Sequence, residues 1–371
     1  MRCFTAFLCW TLFVVGPLSA TEPFLPEAVE VPVKLVELNA TDRETVLKEI
    51  FAAWAERRAR LDRAHYVIEG EDLFPQGSLT FGDPLVRMPR PPGGILPITP
   101  AEDYTSQFRC DVVLDFAGRR FRCERSFETF DHTKRTFRSN VRIGLRDGDR
   151  LVELIPRDRN PHTGAFDAQF DYDTHAGSMI SGATPLLHAH GYIDDANGEK
   201  RGDFSAVPEA KDFDVLGRAY WNDCACIVLR SEILRNRLYR NLWIDLDRDA
   251  AVVRIVVLRD GEQLSEMVTT FADVDGTWMP STWSHTLWES LGEVKQTWSR
   301  TLVSTNGDVD LKSVSFWAEP KPGDMMRRDR KLWCHEGPDK VPTEINDPQK
   351  KRPAAGGFGP GMGRRKIPTE T

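Results

Sequence analysis

Side chains that could bind a metal or activate water are densest in the middle of the chain. Residues 171–175 read Asp-Tyr-Asp-Thr-His, and three more histidines lie nearby in sequence, His162, His188 and His190. Carboxylates and imidazoles are typical ligands of zinc and related metals. However, no HExxH motif occurs, and side chains two residues apart on a helix do not share a face. We therefore predict no metal ion and no cofactor.

The catalytic motifs that can be read from sequence are missing as well. The chain contains no GxSxG nucleophile elbow, no GxxxxGK[ST] phosphate loop and no GxGxxG between a strand and a helix. Paired carboxylates for glycoside cleavage cannot be judged from sequence, because their separation is spatial. We predict a protein that is not an enzyme and has no catalytic residues. The alternative is an exported hydrolase that uses the polar region 160–195, in which Asp173 and His175 would be essential.

The elements that would position any site are clearest between Leu242 and Trp317, where six β-length segments follow one another. Glycines that accept positive φ separate most of them, as in Asp260-Gly261 and Asn306-Gly307, which is typical of tight turns between antiparallel strands. The six segments are LWIDLD (242–247), VVRIVVL (252–258), LSEMVTTF (264–271), WMPSTWSHTLW (278–288), EVKQTWSRTLV (293–303) and LKSVSFW (311–317). The pattern predicts an antiparallel meander.

Both faces of this meander are apolar. Successive side chains of a strand point to opposite faces, yet Ile255 and its neighbour Val256 are both hydrophobic. Both faces must therefore be covered, one by a helix and the other by a core or around a cavity. Aromatic residues are concentrated here, and they either fill a core or line a cavity for an acyl chain. The predicted cavity lining is Trp243, Ile255, Phe271, Trp283, Trp298 and Phe316.

The N-terminus indicates export. Met1-Arg2 is followed by an apolar run from Phe4 to Val15 and by small residues ending at Ala20, which is the pattern of a signal peptide over residues 1–20. The alternative is an anchor that stays uncleaved. We expect a periplasmic or secreted protein with no transmembrane segment after cleavage.

Charge and cysteine content narrow the partners. The chain has 49 basic and 56 acidic residues, and this acidic balance argues against a nucleic acid partner. It also has seven cysteines, of which Cys110 and Cys123 flank a predicted hairpin and form the best candidate for a disulfide. Cys224 and Cys226 share a strand face, where burial is a better explanation than metal binding.

The rest of the chain is divided as follows. Residues 21–40 form an N-terminal extension, and 41–335 form a single domain with insertions near 74–107 and 157–212. Thr41 and Glu44 have the spacing of a capping box, and Val46, Ile50 and Trp54 fall on one face of the predicted helix that follows, which runs to about Arg63. Residues 347–371 are rich in Gly, Pro and basic residues and are predicted to be disordered. This tail is either a solvated terminus or a contact with anionic envelope surfaces.

The order of these features resembles the LolA-like superfamily of periplasmic lipoprotein carriers and outer-membrane lipoprotein-sorting proteins. The likeness covers roughly residues 40–329 and departs from the carrier in its insertions and tail. It is carried by the first helix, by Arg119-Arg120-Phe121-Arg122, by Arg150-Leu151-Val152-Glu153-Leu154 before Pro156, by Thr184-Pro185-Leu186-Leu187, and by the closing run from Val314 to Gly323.

The resemblance implies an α+β fold, with a strongly curved antiparallel sheet, an incomplete β-barrel, wrapped around helices. It further implies a hydrophobic cavity for acyl chains, with Arg119 or Arg120 in contact with its lid. The predicted function is a non-enzymatic, exported protein that binds a lipid or the acyl groups of an acylated protein. The alternative is a structural or interaction module of the envelope with no ligand. The oligomeric state is not predicted.

Overall fold

The computed structural model describes residues 35–78, 100–131, 136–156, 168–172, 179–193, 207–233, 238–274, 276–288, 294–329 and 331–344. These belong to one compact unit, Lys34–Thr371. The predicted signal peptide, the C-terminal tail and most of both insertions lie outside the described residues. So do His162 and residues 173–175 of the polar stretch in the middle of the chain.

Sixteen strands form a single sheet. They are β1 Arg63–Phe74, β2 Tyr104–Asp115, β3 Arg120–Asp131, β4 Thr136–Asp147, β5 Arg150–Ile155, β6 Gln169–Asp171, β7 Asp214–Trp221, β8 Cys224–Ile233, β9 Leu238–Asp245, β10 Ala251–Arg259, β11 Glu262–Val274, β12 Thr277–Trp288, β13 Val294–Asn306, β14 Met325–Arg328, β15 Lys331–Cys334 and β16 Thr343–Glu344. Their order is β16-β15-β14-β6-β5-β4-β3-β2-β1-β13-β12-β11-β10-β9-β8-β7. Neighbours are antiparallel except β14 and β6, which are parallel.

The predicted fold class is wrong. The described residues form only two α-helices, α1 Ala40–Arg60 and α2 Thr184–Ala189, and the sheet is one large open layer that is not wrapped around them. Both helices lie on the same side of the sheet, which we call the helix face. The opposite side is called the outer face. The prediction assumed that strands with apolar residues on both faces must curve around helices. In this structure, a nonhelical part of the chain covers part of the outer face instead.

Helix α1 forms where its apolar spacing predicts. Val46, Ile50 and Trp54 are buried along one side of it and pack on the helix face against residues of β8 to β11 such as Ile227 and Ile255. The helix begins earlier than the predicted capping box, because the side chain of Asn39 accepts the hydrogen bond from the Asp42 backbone. Asparagine and threonine are both good N-caps, and Asn39 makes a second local contact, because its Nδ2 donates to the Asp42 carboxylate at 2.8 Å.

The meander is present from β9 to β13, in which each strand pairs with the next. Its predicted last strand is an exception, because Leu311–Ser313 is a 3-10 turn and the following residues form no strand. Instead β13 pairs with β1, which places His65 opposite Asn306. This pairing joins the two ends of the domain.

Residues 307–324, which we call the crossing segment, run over the outer face from β13 to β14. Val309 and Phe316 pack on Val113 of β2. Further along, Trp317 packs on a cluster that includes Val152 of β5 and Phe170 of β6. The outer face of these strands is thereby buried by an extended piece of chain, which accounts for their apolar residues without a second layer of helices.

Candidate functional site

The helix face beneath α1 and α2 is filled by the protein's own side chains. Trp54, Tyr66 and Phe121 are fully buried there, and Trp283 packs among the residues of the α2 region while its indole nitrogen donates to the Gly182 carbonyl at 3.1 Å. Native cores are packed to crystal-like density. The part of the helix face that the meander was predicted to offer to an acyl chain is therefore occupied.

Arg57 fixes this packing at the end of α1. Its side chain is only 3% exposed, and burial lowers the pKa of its guanidinium. The guanidinium donates to four backbone carbonyl oxygens, those of Ala189 and Arg248 at 2.7 Å, Asp249 at 2.8 Å and Trp278 at 3.3 Å. One side chain thus joins α1, the end of α2, the β9–β10 connection and β12.

Gly191 lets α2 lie against α1. It has a φ of +72°, and an added Cβ would lie 2.3 Å from the carbonyl oxygen of Trp54. Both the left-handed conformation and the close backbone approach require glycine at this position. The contact is consistent with a rigid, closed arrangement of the two helices.

The two histidines of the polar cluster that are described, His188 and His190, are buried in this core. His190 shares a hydrogen bond with the Tyr66 hydroxyl through its Nε2. Burial, assisted by the charge of Arg57, lowers the pKa of His190 to about 3, and burial raises the pKa of the Tyr66 phenol. Both groups stay neutral and shielded from solvent, so we assign this pair a role in the core.

This pair predicts a dependence of stability on pH. In the unfolded chain His190 has a pKa near 6.5, so between pH 6.5 and 3 the unfolded state binds a proton that the folded state does not. Above pH 6.5 His190 causes no loss of stability. Below pH 6.5 it lowers the free energy of unfolding by about 1.4 kcal/mol per pH unit. Between pH 7 and 5, the free energy of unfolding should fall less steeply in His190→Gln than in the wild type, as measured by urea unfolding at each pH.

His65 provides the control for that measurement. Its side chain is a third exposed and bonds Asp111 on the surface, so His65→Gln removes a histidine outside the core and leaves the buried pair of His190 and Tyr66 intact. An unchanged slope in His190→Gln would show that the buried imidazole is not responsible.

The six residues predicted to line a cavity do not converge. Ile255 and Trp283 lie in the filled core of the helix face. Trp243 lies on the outer face, where the guanidinium of Arg254 covers its ring at 4.5 Å, and Phe316 belongs to the crossing segment on the same face.

The last two predicted lining residues, Phe271 and Trp298, are half-buried. Trp298 lies on the helix face between the two parts of the core and packs against the His285 ring at 4.9 Å. Phe271 lies near the end of β11, opposite Pro280 of β12.

Arg119 and Arg120 lie at the turn between β2 and β3. Arg119 has a φ of +53° and pairs with Asp149 at 3.1 Å. Arg120 donates to Asp115 at 2.7 Å, and its guanidinium lies 4.8 Å from the centre of the Phe316 ring. Arg120 therefore holds the crossing segment on the outer face, and its role in a lid stays a prediction.

The predicted cysteine pair is close in space. The sulfurs of Cys110 and Cys123 lie 3.3 Å apart and are free thiols in this structure, so their disulfide stays a prediction. The hydrogen bond with Cys123, together with burial, raises the pKa of Cys110. Elsewhere, burial raises the pKa of Cys226 to about 12. Among the described residues, no group of three or more His, Cys, Asp or Glu side chains is placed to hold a metal.

An opening lies where β2 and β3 separate. Their ladder ends at the pair Arg109 and Ser126. Beyond this pair, among the described residues, 104–108 pair only with β1 and 127–131 pair only with β4. The groove between them has a volume of about 440 Å³, and we call it the β2–β3 slot. Its lining residues are Glu69, Gln107, Phe108, Arg109, Ser126, Phe127, Glu128 and Ser139.

Two arginine-covered rings mark the point of separation. The next pair in register would be Phe108 opposite Phe127. The guanidinium of Arg300 lies 3.7 Å from the centre of the Phe108 ring, and those of Arg125 and Arg142 lie 5.9 and 5.5 Å from that of Phe127. We attribute the separation of the strands to the bulk of these stacked groups on one face.

Buried ion pairs hold the arginines in place. Arg300 donates to Asp72 at 2.5 Å, and Glu153 accepts from Arg125 at 2.7 Å and from Arg142 at 3.2 Å. Burial raises the pKa of Asp72 even though Arg300 lies beside it, and burial lowers the pKa of Arg300. Strands that carry such pairs have fixed positions, so the slot is a preformed feature.

The far end of the slot is crossed by aromatic side chains. The Tyr104 ring stacks on Phe137 with centroids 3.5 Å apart, and its hydroxyl donates to Glu128 at 2.8 Å. Phe74 and Phe130 complete this cluster around Phe137. Sequence reasoning missed the slot, because nothing in a single strand indicates where its pairing with a distant strand will stop.

A second groove, of about 560 Å³, lies between the first turns of α1 and the start of β7. Among its lining residues are Arg43, Leu47 and Phe213. It is shallow and borders a helix surface that is otherwise exposed, so the β2–β3 slot is the better candidate.

Comparison with known proteins adds little. No protein-family model matches the chain, and no curated protein matches it. A solved complex of MucA and MucB from Pseudomonas aeruginosa is similar at 10% identity, with a TM-score of 0.23, over 68% of this chain and 93% of that one. A crystal structure of MucB in complex with MucA(peri) is similar at 9% identity, with a TM-score of 0.22, over 69% and 92%. Similarity at this level carries no argument about fold or function.

Proposed function

We propose that this chain is a non-enzymatic, exported protein of the cell envelope that acts by binding another protein. The observation that supports this most is the contrast between the place where a ligand was predicted and the slot that the structure shows. The helix face under α1 and α2 is filled by residues such as Trp54 and Trp283, whereas the open β2–β3 slot has a mixed lining, in which charged and polar side chains lie beside Phe108 and Phe127. Acyl chains need an apolar lining, and polypeptides accept a mixed one.

Export is part of the proposal and rests on the N-terminal sequence, where an apolar run follows Arg2 and ends in small residues. No helix formed by the described residues has the length and apolar composition needed to cross a membrane. Membership of the LolA-like superfamily is also a proposal, and it rests on the order of sequence motifs.

The first experiment asks whether the protein carries a lipid. Lipids extracted from purified protein are measured by denaturing mass spectrometry, and binding of a fluorescent fatty acid is titrated. We expect no lipid at stoichiometric amounts and no saturable fatty acid binding. Reproducible lipid at about one molecule per chain would refute the proposal and favour the acyl carrier.

The second experiment asks whether the protein contacts a protein partner in the envelope. A photo-crosslinking amino acid is placed, one position at a time, at exposed sites on several strands, including Ser139 and Ser299. We expect a crosslinked protein of constant mass from one group of neighbouring positions. Crosslinks to lipid alone, or to none of the positions, would contradict a protein-binding role.

A further inference from the structure

We propose that the β2–β3 slot receives an extended polypeptide segment that carries a basic side chain and pairs with the exposed edges of β2 and β3. This inference rests on the proposed function and specifies its partner. The slot is bounded on both sides by strands whose described residues lack a ladder partner across it. An extended polypeptide backbone can form hydrogen bonds with the amides and carbonyls of both strand edges at the same time.

The length of the slot fits a short strand. Residues 104–108 on one side and 127–131 on the other each supply five residues, which at the rise of a β-strand is about 16 Å. A segment of about five residues would span it. The aromatic cluster around Phe137 then limits how far the segment extends.

The charge of the lining favours a basic residue. Glu69 is already paired with Arg109, which leaves Glu128 as the carboxylate without a cationic partner in the lining. Glu128 accepts one hydrogen bond, from the Tyr104 hydroxyl, and a carboxylate has room to accept more. A lysine or arginine of the bound segment would complete its bonding.

A buried hydroxyl gives independent support. Ser106 lies in the middle of the unpaired part of β2, is fully buried, and its Oγ has no hydrogen-bond partner among the described residues. Buried polar groups are nearly always bonded, so this hydroxyl marks a point in the unpaired part of β2 where hydrogen bonding among the described residues is incomplete.

The test uses the full mature chain and a phage-displayed library of random heptapeptides. Peptides selected on the wild-type protein are synthesised with a fluorescent label, and their affinities are measured by anisotropy. We expect selected peptides to contain a lysine or arginine. Ser139→Trp, which places an indole in the slot, should weaken their binding at least tenfold. Methylation of alternate backbone nitrogens of the peptide should abolish binding, since it removes strand hydrogen bonds.

Two pairs of variants control the result. Thr270→Trp adds the same side chain at an exposed position of β11, four strands away from β2 in the sheet, and should bind like wild type. Glu128→Gln should weaken binding about fivefold, while Glu124→Gln, four residues away on β3 and paired with Arg122, should not. Glu128→Gln keeps the shape of the side chain, so it tests the slot even when Ser139→Trp fails to fold.

The slot is refuted if no peptide is enriched, if selected peptides bind Ser139→Trp as tightly as wild type, or if backbone methylation has no effect. The proposed function survives these outcomes when photo-crosslinking still finds a protein partner at other positions. It fails only when crosslinking finds no protein at all or when lipid co-purifies.

Discussion

Arg57→Met should lower the free energy of unfolding by about 3–5 kcal/mol, measured by urea denaturation. The guanidinium is buried and bonds four carbonyl oxygens from three separate parts of the chain. Methionine fills a similar volume but donates no hydrogen bond, so these carbonyls lose their partner inside the core. Several buried acceptors without donors make this one of the two largest losses that we expect.

Arg60→Met is the matched control. Arg60 lies one turn further along α1, is 40% exposed, and pairs with Glu56 and Asp249 near the surface. Surface pairs contribute little, so the loss should stay below about 1 kcal/mol. Equal losses for the two variants would mean that Arg57 stabilises the fold only through its charge or its helix propensity.

Arg300→Met should cost about 3–5 kcal/mol as well. Arg300 is 5% exposed and Asp72 is 8% exposed, and removing the guanidinium leaves the carboxylate buried without its cation. The double variant Asp72→Asn with Arg300→Met should recover much of this loss, because it also removes the isolated charge. Urea denaturation of the wild type, the two single variants and the double variant gives the coupling energy between the residues.

Arg109→Met tests whether burial is the cause. Arg109 of β2 forms an ion pair with Glu69 of β1, but both side chains are about half exposed. We expect the free energy of unfolding to fall by less than about 1 kcal/mol.

If the losses of Arg300→Met and Asp72→Asn were simply additive in the double variant, the two residues would contribute separately and the slot would not depend on their ion pair.

Local features were predictable because their signals are local. The apolar spacing of Val46, Ile50 and Trp54 gives a helix with one buried side wherever it packs. The turn at Asp260-Gly261 likewise fixes a hairpin between two neighbouring strands, since Asp260 has a φ of +50° and Gly261 one of +91°. The turn between β11 and β12 is similar, since Gly276 has a φ of +79° and the two strands pair directly.

The fold class was not predictable from the same signals. Two-sided apolar strands indicate that both faces are covered, but they do not indicate by what. The segment containing Phe316 and Trp317 has the alternation of a strand and instead crosses the outer face. An extended chain satisfies the same hydrophobic pattern whether it joins a sheet or packs on top of one.

The sequence by itself determined that this is a strand-rich chain with one long amphipathic helix, an acidic charge balance and no recognisable catalytic motif. Only the tertiary structure decided which aromatic residues meet, since Trp243 and Trp283 lie on opposite faces of one sheet. It also decided where the β2–β3 ladder ends, and with it the candidate site. Periodicity specifies how a segment folds locally, whereas the pairing of residues as distant as His65 and Asn306 depends on the packing of the whole domain.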